Sequence, residues 1–169
     1  MMNRNVEIKA RVTHADDMRT MLQALTDTPC ETLHQEDTFF RVGSGRLKLR
    51  MILGDDAELI YYERPDVSGA KESRYLRCKV PNPADMRQAL SAALGVEGTV
   101  KKERLLYMVG QSRLHLDTVE GLGTFLEIEV VLTEGQTVEE GHRIAAELTD
   151  RLKIHTADLV PCAYVDLLD

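Results

Sequence analysis

Arg113-Leu114-His115-Leu116-Asp117-Thr118-Val119-Glu120-Gly121-Leu122-Gly123-Thr124-Phe125-Leu126-Glu127-Ile128-Glu129 decides how this chain is read. Its first half alternates Arg113, His115 and Asp117 with Leu114 and Leu116, the period of a β-strand whose two faces differ. Glu120-Gly121-Leu122-Gly123 is a turn. The alternation then resumes in a strand over 125–132, with Glu127 and Glu129 on one face and Leu126, Ile128 and Val130 on the other. The pattern predicts two antiparallel strands, 113–119 and 125–132, each with one charged and one apolar face.

Upstream, the same period recurs. Residues 6–12 set Asn5, Glu7, Lys9 and Arg11 against Val6, Ile8, Ala10 and Val12. Further strands are expected over 37–42, 46–53, 58–64, 73–80 and 99–109. Gly43 and Gly45 turn between two of them, and Gly54-Asp55-Asp56 is a hairpin signal. Three helical patterns interrupt. Thr13 is the expected N-cap of the first, with Asp16 three residues on and Met18, Met21, Leu22 and Leu25 on one face. Asn82-Pro83 opens the second, which carries Met86, Leu90 and Leu94 and stops at Gly95. Thr137 and Glu140 form a capping box for the third, which is expected to bury Ile144, Leu148 and Leu152. The last segment, 160–168, is expected to cover one end of the sheet. Eight strands at hairpin-like spacing, with few parallel crossovers, predict an α+β, mainly β fold. Its antiparallel sheet loses its exposed edges if it closes into an eight-stranded β-barrel. The length fits a single domain, 1–169.

The charged faces carry the chemistry. A charged strand face is ordinarily solvated, but solvated faces mix signs because like neighbours repel. Here Arg46, Lys48 and Arg50 stack one sign on one strand, and Glu127 and Glu129 stack the other. Inside a barrel, such cations neutralise polyphosphate oxygens, Arg with a bidentate fork. Carboxylates in the same lumen hold a divalent metal that bridges phosphate oxygens.

Composition sets limits. The net charge of −7 supplies no excess positive field for duplex nucleic acid or anionic membranes. Cys30, Cys78 and Cys162 are far apart, with no CxxC or Cys/His spacing, so neither a zinc site nor a disulfide framework is expected. Isolated thiols fit a reducing cytoplasm. Met1-Met2-Asn3-Arg4-Asn5 lacks the apolar run of a signal peptide, and no segment reaches membrane-spanning length. A homodimer is compatible with the sequence.

Asn5-Val6-Glu7-Ile8-Lys9 resembles the Glu-x-Glu-x-Lys signature of the CYTH superfamily, the triphosphate tunnel metalloenzymes. Leu49-Arg50, Lys102-Glu103-Arg104 with Tyr107, and the 113–129 run match its later strands in order, and Ala163-Tyr164-Val165-Asp166-Leu167-Leu168 is similar to its closing segment. The resemblance spans essentially the whole chain. It implies an eight-stranded antiparallel tunnel that binds Mg²⁺ or Mn²⁺ and a small-molecule triphosphate: inorganic triphosphate, thiamine triphosphate or ATP. Carried over by position, Glu7, Asp117, Glu127 and Glu129 are the metal-binding carboxylates. Lys9, Arg50, Lys102, Arg104 and Arg113 hold the triphosphate, and strand parity adds Lys48. Glu7, Lys9 and Arg104 stand at the chemistry. Two positions depart from the pattern. Asn5 replaces the first acid, so one charge is missing where a second metal would bind. Glu63 stands where many relatives have a Lys two residues before the proline, so either Arg64 supplies that charge through a local bulge or one phosphate contact is missing.

Three functions follow from such a tunnel. The first is a metal-dependent triphosphatase, in which a positioned water attacks the terminal phosphorus. The second is a class IV adenylate cyclase, in which the ribose 3′-hydroxyl attacks the α-phosphorus and pyrophosphate leaves. The third is a non-catalytic polyphosphate- or nucleotide-binding module, suggested by Asn5. His115 shares the parity of Arg113 and Asp117, which puts it in a lumen, although a histidine so placed more often packs or hydrogen-bonds than acts as a base. His14, His34, His142 and His155 share no pattern and read as surface residues.

Overall fold

The computed structural model describes residues 2–168, so the two end residues of the expected 1–169 domain lie outside it. The chain runs β1 (Asn3–Arg11), α1 (Ala15–Leu25), β2 (Glu31–Phe40), β3 (Arg46–Ile52), β4 (Ala57–Glu63), β5 (Lys71–Val80), α2 (Pro83–Leu94), β6 (Val96–Val109), β7 (Ser112–Val119), β8 (Gly123–Val131) and α3 (Val138–Arg151). Two short 3₁₀ turns follow, Thr156–Asp158 and Tyr164–Leu167. The eight strands form a closed barrel in the order β1-β5-β4-β3-β2-β6-β7-β8, and every neighbouring pair is antiparallel. The meanders β2–β5 and β6–β8 are joined by β2 against β6 and by β1, which lies between β5 and β8. Closure leaves no strand edge unpaired.

The apolar strand faces point outward, under the helices. Val6, Ile8, Leu114, Leu116, Leu126, Ile128 and Val130 pack against Met18 and Leu22 of α1 and Ala145, Leu148 and the cap residue Leu152 of α3. Phe40, Leu49, Ala57 and Val80 pack under Met86 and Leu90 of α2. A third cluster closes one end of the lumen: Phe39, Val100, Val119 and Phe125 meet Val160, Ala163, Tyr164 and Val165 of the terminal segment. Among the described residues, no helix is long and apolar enough to cross a membrane.

Helix α3 sits on β1 so closely that a Cβ at Gly141 would lie 2.6 Å from Val6 Cγ2 and 2.7 Å from Leu132 Cδ2. Val6 is buried and cannot swing aside. Gly141→Val is therefore expected to destabilise by roughly 1–3 kcal/mol through overpacking. A urea titration should show a lower midpoint at unchanged slope; an unchanged or higher midpoint would refute the close packing.

Most of the expected elements are present, with three shifts. Thr13 is not the N-cap of α1. The Val12 N–H bonds the Thr124 carbonyl, which keeps the chain in the sheet, and the helix starts one residue later with His14 at the cap and no side-chain bond. β2 begins at Glu31 rather than residue 37. Residues 31–36 lack an apolar face, yet they pair with β6 from Glu31↔Leu106 onward, so tertiary pairing overrides a weak local signal. Ile144 only partly buries, whereas Gly141 and Ala145 take the buried stripe of α3. Asn82 caps α2 by accepting from the Asp85 N–H, and the Thr137–Glu140 capping box is formed in both directions.

Candidate active site

Alternate residues of the eight strands line a lumen with a cavity of about 340 Å³. β1 contributes Asn5, Glu7 and Lys9; β2 Gln35 and Asp37; β3 Lys48 and Arg50; β6 Lys102 and Arg104; β7 Arg113 and His115; β8 Glu127 and Glu129. Tyr164 of the terminal segment forms part of the closed end. At the other end, Leu33, Ile52 and Leu106 line the mouth beside Glu31, Asp55 and Asp56.

The charges interlock. Asp117, fully buried, accepts from Arg104 Nε (2.7 Å), Arg104 Nη2 (2.7 Å), Lys102 Nζ (3.1 Å) and the Tyr164 hydroxyl (3.0 Å). Burial pushes its pKa up, but Arg104 and Lys102 overcome that and hold it far below the usual carboxylate value. Arg104 also donates to Glu127 at 2.9 Å. Across the lumen, Asp37 accepts the fork of Arg50 (2.8 and 2.7 Å) and Lys48 Nζ (3.0 Å). Arg113 Nη2 lies 3.0 Å from Glu129, and Lys9 Nζ lies 3.4 Å from Glu127. Lys9 also donates to the Cys162 carbonyl at 3.1 Å and stands 3.8 Å from the Tyr164 ring centroid.

Arg64 continues the inward parity of Glu58, Ile60 and Tyr62, without a bulge, and donates to Glu7 at 2.6 Å. Glu63 faces outward and accepts from the Tyr61 hydroxyl. Arg64 rather than Glu63 therefore brings a side chain to the lumen at this point. Arg46, the third cation of its stack, leaves the lumen and clamps Asp166 with two bonds of 3.0 and 2.7 Å, which secures the terminal segment. Lys71 holds the same segment through the Pro161 carbonyl at 3.0 Å.

Asp37 was not among the residues expected at the site. It sits on one strand face with Gln35 and Phe39, and only the register with β3 reveals it as the counter-ion that lets Lys48 and Arg50 stack. Glu7, Lys9, Lys48, Arg50, Lys102, Arg104, Arg113, Asp117, Glu127 and Glu129 are all brought to this lumen. Their arrangement separates the acids. His115 Nδ1 and carboxylate oxygens of Glu127 and Glu129 lie within 4.8 Å of one another, in a set able to hold a cation. Asp117 is engaged by its two cations, and Glu7 by Arg64. The Glu7 carboxyl is raised above its ordinary value, first by burial and then by Glu129 and Glu127 against the pull of Arg64.

A closed antiparallel barrel whose lumen sets several cations beside a carboxylate cluster has the architecture of a triphosphate tunnel protein. Residues 3–164 match the CYTH domain, and the chain belongs to the CYTH family. That family is generally enzymatic, metal-dependent and binds triphosphates. The chain is similar to the PH1012 protein of Pyrococcus horikoshii, at 27% identity over 98% of this chain and 99% of that one, with a TM-score of 0.84. A candidate adenylate cyclase from Vibrio parahaemolyticus is 18% identical over 96% of each chain, with a TM-score of 0.77. A protein from Hippeastrum, described as a candidate adenylyl cyclase with a dominant triphosphatase activity, is 18% identical over 94% of this chain and 91% of that one, with a TM-score of 0.63. The last two likenesses concern the fold alone. No match was found among curated proteins.

Proposed function

We propose that the chain is a metal-dependent triphosphatase that takes its substrate's phosphates into the lumen. One observation carries this reading. Buried polar atoms of the lining have no hydrogen-bond partner among the described residues: Arg64 Nε, Arg113 Nε, Gln35 Oε1, Asn5 Oδ1 and His115 Nδ1. Unpartnered buried groups are costly, and two of these are guanidinium donors that only an acceptor can satisfy. A polyanion with several oxygens, bound beside a cation, supplies both kinds of partner.

In this reading Lys9, Lys48, Arg50, Lys102, Arg104 and Arg113, with Arg64, exchange internal carboxylates for phosphate oxygens. Each charge-assisted contact is worth about 1.5–3 kcal/mol. Glu127 and Glu129 would hold a divalent ion, which would supply positive charge to offset that developing on the phosphate oxygens during transfer. Water adds to the terminal phosphorus as its bridging P–O bond breaks, and the Glu7 carboxylate, released as Arg64 turns to phosphate, takes the water's proton. Asn5 keeps an amide oxygen facing the lumen, able to accept from a water but bringing no charge.

Adenylate cyclase is the second reading. Leu33, Ile52 and Leu106 offer apolar surface at the mouth against which a nucleoside could lie. The deciding experiment is a screen with Mg²⁺ and Mn²⁺ over inorganic triphosphate, thiamine triphosphate and ATP, with products separated by chromatography. Inorganic phosphate is expected. Cyclic AMP with pyrophosphate would replace the triphosphatase by the cyclase. Tight binding with no turnover would leave a binding module.

Lys48 gives this reading a pH signature. Burial, then Arg50, lowers its ammonium to about 7, even with Asp37 at 3.0 Å. A bound polyanion raises that value again, so between about 7 and the bound value, binding takes up a proton and affinity falls as pH rises. Calorimetry of inorganic triphosphate at pH 8 in buffers of different ionisation enthalpy should show an uptake that Lys48→Met reduces. Equal uptake in both proteins would exclude Lys48 from the phosphate path.

A further inference from the structure

We propose that His115 is itself a metal ligand, through Nδ1, in a site shared with Glu127 and Glu129, and that this nitrogen makes the site prefer first-row transition-metal dications such as Mn²⁺ and Co²⁺ over Mg²⁺. The inference rests on the metal dependence of the proposed function and concerns which ion the site takes.

Three observations converge. The register places His115 directly opposite Glu127, and Arg113 opposite Glu129, so the imidazole faces one carboxylate squarely and the other diagonally. His115 Nδ1 lies 3.6 Å from Glu127 Oε2 and 3.9 Å from Glu129 Oε1. Those separations are too long for hydrogen bonds. They suit neighbouring ligands of one ion, because bonds of about 2.0–2.2 Å put such ligands roughly 3–4 Å apart. His115 is 4% exposed, and its Nδ1 is buried with no partner among the described residues, although its lumen is crowded with polar groups.

The surroundings hold the carboxylates for this task. Arg104 donates to Glu127 Oε2 at 2.9 Å, and Arg113 lies 3.0 Å from Glu129 Oε2, which leaves Glu129 Oε1 facing the imidazole. Outer partners of this kind fix the orientation of metal-binding side chains. An all-oxygen set suits Mg²⁺, which binds imidazole poorly, whereas one nitrogen with two carboxylates shifts the balance towards first-row transition-metal dications, by less for Mn²⁺ than for Co²⁺. The competing account is a charged His115 that merely attracts the two glutamates; it predicts no metal–nitrogen bond.

The test uses the full chain. Electron spin-echo spectroscopy of the Mn²⁺-loaded protein should show coupling to a histidine nitrogen, altered by ¹⁵N-histidine labelling and absent in His115→Ala and His115→Asn. Mn²⁺ affinity should fall by about tenfold or more in His115→Ala, since even outer partners of a ligand are worth that much. Mg²⁺ affinity should change by less than about threefold, and His115→Asn, which puts an amide oxygen near the Nδ1 position, should shift the balance towards Mg²⁺. Circular dichroism checks folding, and the labelled wild type decides the matter even if both variants unfold. An uncoupled Mn²⁺ signal in the wild type, or equal loss of both ions in the variants, would overturn the inference. Binding of inorganic triphosphate with Mg²⁺ in the same preparations tests the proposed function separately. Retained binding without nitrogen coupling sinks only the His115 ligand, and absent binding with coupling present sinks only the triphosphatase.

Discussion

Arg104→Ala is expected to cost the folded protein about 3–5 kcal/mol, the range for breaking a buried ion pair from one side. The guanidinium is buried and carries two bonds to Asp117 and one to Glu127. Its removal leaves Asp117 with Lys102 and the Tyr164 hydroxyl only. In the proposed function Arg104 also contacts phosphate, so triphosphate affinity should fall by about 1.5–3 kcal/mol as well. A second variant separates the two losses. Arg104→Met with Asp117→Asn removes both partners' charges while keeping an acceptor for Tyr164, and should recover part of the stability without recovering affinity. Acid denaturation gives an independent reading. Asp117 is held below its ordinary value when folded, so its stabilisation is present above the unfolded value of about 4 and is lost as pH falls beneath it. Arg104→Ala should flatten that acid limb. A variant with the wild-type midpoint and the wild-type acid limb would show that Arg104 does not carry the lumenal network.

The sequence made the walls of the barrel legible because each strand repeats its contrast every second residue. Glu127 and Glu129 could be set on one face of β8 without coordinates, and so could Lys9 on β1. Direction was less accessible. Periodicity states that Arg46, Lys48 and Arg50 share a face, but Arg46 belongs to the terminal clamp on Asp166 while the other two belong to Asp37. That division depends on where β3 passes the closed end, a long-range property. Asp37 was illegible for the same reason, since its partners are 11 and 13 residues away and are fixed by the β2–β3 register. The acids also looked equivalent in sequence. In the fold, Asp117 is a counter-ion saturated by Arg104, Lys102 and Tyr164, whereas Glu127 and Glu129 retain oxygens facing His115. Local pattern identifies charge and parity; only closure decides which charges neutralise one another and which remain for a ligand.

That distinction makes Glu129→Gln the cleanest test of the proposed metal site. Both Glu127 and Glu129 are held within the ionised range: burial opposes ionisation, but Lys9 and Arg104 overcome it at Glu127, and Arg113 and Arg104 pull the other way at Glu129. Removing Glu127 would strip Lys9 and Arg104 of a shared partner and confuse a folding defect with a catalytic one. Glu129 is different. Its cation, Arg113, keeps about a quarter of its side chain exposed and can turn to solvent, and a glutamine there preserves shape and an acceptor oxygen. The variant should therefore melt close to the wild type. Its metal-dependent turnover should fall by about 10²–10³-fold, as when one preorganised electrostatic group is deleted from an active site. Mn²⁺ affinity should fall with it, because one of the charges facing His115 has gone. Turnover measured across a Mn²⁺ titration separates the causes: rescue at high metal assigns the loss to occupancy, and an unrescued loss assigns it to charge placement in the transition state. Normal turnover with normal Mn²⁺ affinity would remove Glu129 from the metal site and leave its carboxylate as no more than the partner of Arg113.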